Sequence, residues 1–315
     1  MKKRTAGALR VALVALVAIA LGVLGVIVVG ALGQGTRPTT GSPKPAAAAT
    51  GASATTADTG RALGPGSRPA PVVYRPANLS RAKPAPLVLA LHGSGGNPTT
   101  FEAATGLDAV ANRHGFVVAY LGSPEPTSPA WRGADLARNL AYISSEIRSL
   151  TISENIDRRR VYVTGFSAGA TMAFFVGCQL SSQVDGIAPV SGAMRFTDPC
   201  HISHPVSALE IIGTSDVIPL NGSARLLSAA QVAARWRTLD GCSSRSRRTV
   251  MGPAHVNTWN RCNGGSGVES YVIQGGTHQW PGPRAGGPDS QVPAAKAVWA
   301  FFAAHPGARR RHRSR

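Results

Sequence analysis

The sequence of 315 residues is short of acid, with 15 Asp and Glu against 33 Lys and Arg, a formal charge of +18 at pH 7. Charged residues of both signs make up only 15% and hydrophobic residues 43%, which excludes a disordered polyelectrolyte and leaves enough apolar chain for one large core. The basic surplus gathers at the ends and in short clusters. Lys2, Lys3, Arg4 and Arg10 lie at the start, Arg309, Arg310, Arg311, Arg313 and Arg315 at the end, and Arg158, Arg159, Arg160, Arg245, Arg247 and Arg248 inside. No basic stripe is interleaved with aromatic residues and no nucleic-acid motif occurs, so no nucleic-acid partner is expected. A solvated basic surface is favoured over adhesion to anionic wall polymers or lipid headgroups. There is no internal repeat.

Cysteine is scarce as well. The first of four is Cys178, which excludes a lipidated cysteine near the N-terminus. Cys178, Cys200, Cys242 and Cys262 form no CxxC pair and have no paired histidines, so no metal is expected. An even count in an exported chain points to disulfides. Of three possible pairings, that between neighbours, Cys178 with Cys200 and Cys242 with Cys262, is preferred.

Export is read from the N-terminus. Four basic residues flank an uncharged run at 11–32, 22 residues long. That is longer than the ~7–15 apolar residues usual in a cleaved signal and close to the ~20 that span a bilayer. Residues 1–33 are therefore a signal peptide or a membrane anchor, and the rest is secreted or held on the outer face of the membrane. Residues 34–68, mostly Ala, Gly, Pro, Ser and Thr, read as a flexible linker. A catalytic domain is expected over 69–306 and a basic tail over 307–315.

Within the body, short apolar runs alternate with helical patterns. Strands are expected at 87–91 (LVLAL), 116–120 (FVVAY), 161–164, 186–190, 208–212 (ALEII) and 269–273, with helices at 102–113, 136–150, 168–180, 224–239 and 292–304. Near-continuous apolar strands between helices imply a mostly parallel sheet covered on both faces, an α/β three-layer sandwich. Right-handed crossovers bring the loops at the strand C-ends to one edge, where a catalytic set belongs. The segments 123–133 and 251–267 show no readable pattern and are taken as loops that shape a pocket.

The strongest motif is Gly165-Phe166-Ser167-Ala168-Gly169, between an apolar strand and a helix. Such a turn exposes the Ser167 hydroxyl over a helix N-terminus that favours negative charge. A serine hydroxyl needs a base, and the base needs a partner that fixes its tautomer. Asp216, in the turn after strand 208–212, is the expected acid, preferred over Asp185, Asp198 and Asp240. His278, in a glycine-rich loop after strand 269–273, is the expected base. The bland readings are a turn aspartate and a packing histidine. Two N–H groups must meet the oxyanion of ester attack. Ala168, after the nucleophile, and Ser94, in His92-Gly93-Ser94-Gly95-Gly96, are expected to supply them, with His92 structural. That loop has no GK[ST] or dinucleotide spacing and so is not read as a phosphate cradle.

Leu91-His92-Gly93-Ser94-Gly95-Gly96, the segment around Ser167, Gly213-Thr214-Ser215-Asp216 and Gly276-Thr277-His278-Gln279-Trp280-Pro281-Gly282 together resemble the polyhydroxybutyrate depolymerase family, which includes feruloyl and acetylxylan esterases. The resemblance runs from about 71 to 306. It implies the α/β-hydrolase fold and exported hydrolysis of carboxylic esters, polymeric or polysaccharide-linked ones among them, by a Ser-Asp-His triad without cofactor. Many depolymerases carry Cys where Ser94 stands here. No separate polymer-binding module is seen, so soluble or wall-attached esters are expected over solid polyester. Trp280 and Trp131 could offer flat apolar surface to an acyl group or sugar ring, or simply pack in the core. Acyl transfer to a sugar and non-catalytic surface binding are the competing functions.

Overall fold

The computed structural model describes residues 70–124, 131, 135–218 and 221–307. The expected leader at 1–33, linker at 34–68 and all but the first residue of the tail at 307–315 lie outside the described residues.

Nine strands form one sheet. In chain order they are β1 (Val72–Tyr74), β2 (Ala85–Leu91), β3 (Val117–Leu121), β4 (Ile156–Phe166), β5 (Gly186–Val190), β6 (Ser207–Gly213), β7 (Arg247–Met251), β8 (Ala254–Trp259) and β9 (Val268–Ile273). Their spatial order is β1-β3-β2-β4-β5-β6-β9-β8-β7. The middle run from β3 to β9 is parallel, and β1, β8 and β7 are antiparallel to their neighbours. The helices are α1 (Pro98–Thr105), α2 (Leu107–His114), α3 (Leu136–Ser153), α4 (Ala168–Gln179), α5 (Ala229–Leu239) and α6 (Ala294–Ala304).

Alternate residues of each central strand feed opposite cores, as the two-residue period of a strand requires. Leu87, Leu89 and Leu91 of β2 pack with Ile143 of α3, Val176 of α4 and Trp236 of α5. Val88 and Ala90 join Val110 of α2 and Val298 and Phe302 of α6 on the other face. Phe302 stacks on Tyr162 at 4.5 Å and Phe116 on Trp299 at 3.9 Å between ring centroids. Truncating such a buried ring costs roughly 3–5 kcal/mol. The layers are helix, sheet, helix, as the apolar pattern implied.

Local chemistry shifted several boundaries. The helix expected over 102–113 is two helices, because Gly106 takes φ 71° between them. Asn97 caps the first and Pro98 opens it. The helix expected from 224 starts at Ala229, because Ser228 and Gln231 form a capping box. The segment 251–267, taken as a patternless loop, contains β8, which pairs with β9 and with β7. Both expected cysteine pairs are present, Cys178–Cys200 and Cys242–Cys262. The first ties α4 to the segment between β5 and β6.

Candidate active site

Ser167 stands between β4 and α4 with φ 55° and ψ −115°, a strained conformation for any residue but glycine. Two neighbours make the turn possible. A Cβ on Gly169 would run into the Leu91 carbonyl oxygen, and one on Gly165 into the backbone of Gly169. Glycine at both positions lets α4 press against the end of β2. The Ser167 N–H is tied to the Val190 carbonyl at 3.0 Å.

The chain then brings three distant residues together. His278 Nε2 lies 2.9 Å from Ser167 Oγ, across 111 residues of sequence. His278 Nδ1 lies 2.8 Å from Asp216 Oδ1. An ionised carboxylate only accepts, so Nδ1 carries the ring proton and Nε2 is free to accept the hydroxyl's. The Asp216 side chain is fully buried and that of His278 is 25% exposed. Burial pushes the Asp216 carboxyl up, but hydrogen bonds from His278, Ser191 and the Ile218 N–H outweigh it and hold the acid below its ordinary range. Phe166 packs against the His278 ring at 4.9 Å.

The loop after β2 passes beside the serine: a Cβ on Gly93 would lie 3.4 Å from Ser167 Cβ. Ser94 is exposed on that loop. Among the described residues no protein acceptor engages its N–H or that of Ala168 at the first position of α4. His92 holds the loop. Its Nε2 accepts the Ser123 N–H at 3.2 Å, so its Nδ1 carries a proton and donates to the Gly93 carbonyl at 2.7 Å. Burial lowers the His92 pKa and keeps the ring neutral.

The two tryptophans expected to face substrate are corrected here. Trp131 is 3% exposed, donates its indole N–H to the His92 carbonyl at 3.0 Å and stacks on Tyr142. Trp280 is 9% exposed, donates to the Thr105 carbonyl at 3.1 Å and meets Phe101 edge-on. Both indoles have their faces and their N–H groups committed to the framework, which leaves little surface for a ligand. In the segment 123–133, residues 125–130, 132 and 133 lie outside the described residues.

Two supporting residues had gone unnoticed in the sequence. Asp289 is 1% exposed, and its Oδ2 accepts the Thr277 N–H at 2.8 Å and the Thr277 hydroxyl at 3.2 Å, fixing the loop that carries His278. Ser191 is buried just after β5 with φ 55° and helps to hold the Asp216 carboxyl low. The sequence signal for Ser191 is its place after an apolar strand. Asp289 sits in a glycine- and proline-rich stretch that announces only a turn.

The chain is similar in sequence and fold to known esterases. Feruloyl esterase B of Piromyces equi is 26% identical over 225 residues, 66% of this chain and 42% of that protein. The putative esterase NocK of Nocardia uniformis subsp. tsuyamanensis is 28% identical over 230 residues, 62% of this chain and 66% of that one. The chain thus spans less than two thirds of either relative. Among solved structures, the acetyl xylan esterase from Aspergillus awamori superposes with a TM-score of 0.56 at 15% identity, covering 73% of this chain and 92% of that one, a likeness of fold. The family described as Esterase PHB depolymerase matches residues 71–222, just under half of the chain, and the fold as a whole is that of the α/β-hydrolases.

Proposed function

We propose that this protein is an exported serine hydrolase of carboxylic esters, with Ser167 as nucleophile, His278 as base and Asp216 as the residue that orients the base. The observation that carries the reading is the continuous hydrogen-bonded line from Ser167 Oγ through His278 to a buried Asp216. In the acylation step, His278 Nε2 takes the hydroxyl proton as Oγ bonds to the ester carbonyl carbon. The carbonyl π pair moves to oxygen, and the N–H groups of Ala168 and Ser94 stabilise that charge. The tetrahedral centre then expels the alcohol, which receives its proton from His278, and an acyl-serine remains. Water deprotonated by the same nitrogen attacks the acyl group, releases the acid and returns the proton to Oγ. Asp216 stays ionised throughout and stabilises the imidazolium.

Feruloyl, acetyl-xylan and hydroxybutyrate-type esters are the proposed substrates, on the names of the relatives and of the family. Export is supported by the two disulfides, which persist in oxidising compartments, and by the basic and apolar leader. The test is a panel of p-nitrophenyl butyrate, methyl ferulate, acetylated xylan and a hydroxybutyrate oligomer, run beside Ser167→Ala. The variant is expected to lose roughly 10³–10⁶ in kcat. Retained activity would remove Ser167 from its role, and a dominant sugar-ester product with added glucose would replace hydrolysis with acyl transfer.

A further inference from the structure

At the far edge of the sheet a second cavity, about 470 Å³ in volume, lies between α5 and the strands β9, β8 and β7. It exists because the wall from α5 is built of Ala229, Ala230 and Ala233, too small to fill the space against the sheet. The floor is a cross-strand row: Arg248 of β7 opposes Asn257 of β8, which opposes Ser270 of β9. Arg237 of α5 lies over the ring of Trp259 with its guanidinium carbon 5.0 Å from the ring centre.

The chemistry of the lining is one-sided. Two guanidinium groups face the space and no carboxylate lines it. Arg237 Nε and Trp259 Nε1 are both buried and have no hydrogen-bond partner among the described residues. Both atoms lie out of a ligand's reach beneath the lining, so what the cavity offers is the terminal nitrogens of Arg237 and Arg248. The next residue in the row, Glu210 of β6, is buried behind Ser270. Burial pushes its carboxyl up to about 8, so at pH 7 it does not oppose an anion. The remaining lining groups are amides and hydroxyls, including Asn257, Ser228 and Ser270, which bond equally well to hydroxyl groups. The volume is several times that of a phosphate ion.

We infer that this cavity binds a carboxylate-bearing sugar, a uronic acid, with Arg237 and Arg248 on the carboxylate and the amides and hydroxyls on the ring hydroxyls. The inference does not depend on the esterase reading. Binding of D-glucuronate, D-glucose and inorganic phosphate to the full chain by titration calorimetry tests it, with Arg237→Gln, Arg248→Ala and Ser167→Ala alongside. Arg248 is exposed on the outermost strand, so its variant keeps the fold intact. The expected result is saturable glucuronate binding that exceeds that of glucose, weakens about tenfold or more in each arginine variant, and persists in Ser167→Ala. Failure to bind glucuronate overturns the inference. Equal binding of glucose or phosphate overturns the uronic-acid assignment, and binding that survives both arginine substitutions places the ligand elsewhere on the basic surface.

Discussion

Asp289 accepts the backbone N–H of Thr277 at 2.8 Å, one residue ahead of His278. Its carboxylate is buried and touches neither Ser167 nor Asp216 in any hydrogen bond, so in the proposed reaction its part is to position His278. Asp289→Ala should lower kcat for p-nitrophenyl butyrate by about 10²-fold, the scale of a misplacement near 1 Å, with little change in KM. Asp289→Asn keeps an acceptor oxygen and should restore most of the loss. A variant that melts earlier yet keeps full kcat would make the contact purely structural.

For Trp280, committed to the Thr105 carbonyl, stability is the quantity at stake. Trp280→Phe leaves that buried carbonyl without its donor, at a cost of roughly 1–3 kcal/mol. The expected outcome is a lower Tm with an unchanged KM for methyl ferulate. A raised KM at constant Tm would return the indole to the substrate pocket.

Glu210 gives a pH dependence with a definite sign. Its carboxyl, fully buried, is pushed from 4.5 to about 8 in the folded protein. Between those values the folded state holds a proton that the unfolded chain releases, so stability falls as pH rises through that window and levels off above it. Glu210→Gln removes this term. Wild type and variant should melt alike near pH 4, and the variant should be the more stable by roughly 3 kcal/mol at pH 7. Asp240, raised by burial to about 7, keeps a residual slope of the same sign in both proteins. Denaturant melts at three pH values measure the difference. A constant offset at all pH values would show that the effect is packing and not ionisation.

The Cys178–Cys200 bridge closes a loop across 22 residues of sequence, from the helix that begins at Ala168 to the segment beyond β5. Closing a loop of that size is worth about 3 kcal/mol in the chain-entropy account. The double substitution Cys178→Ala, Cys200→Ala should therefore lower the unfolding free energy by that order. Thiol titration of the unfolded, unreduced wild type should find no free sulfhydryl. Finding free thiols there would dismiss the bridge.

The meeting of Ser167, His278 and Asp216 was legible because its signals are local. Ser167 needs glycines two residues to either side, and Asp216 and His278 each follow an apolar strand. The α5 start was misplaced because Ala224 looks helical, whereas the Ser228 and Gln231 cap decides the boundary. The β7–β8 hairpin escaped notice because it is half-solvated: Arg247, Arg248, His255 and Asn257 break the apolar run that marks the central strands. Asp289 was invisible for another reason. Its partner is fixed only when the loop folds back across 12 residues, and composition carries no trace of that.

Among the described residues β7 ends the sheet, and no strand lies beyond its outer backbone edge. Such an edge can recruit the same edge of another molecule. Here, Arg247 and Arg248 place two exposed charged side chains on that edge, and charge on an edge strand hinders such pairing. The guanidinium groups at this border thus act against edge-to-edge stacking of copies into a continuous ribbon.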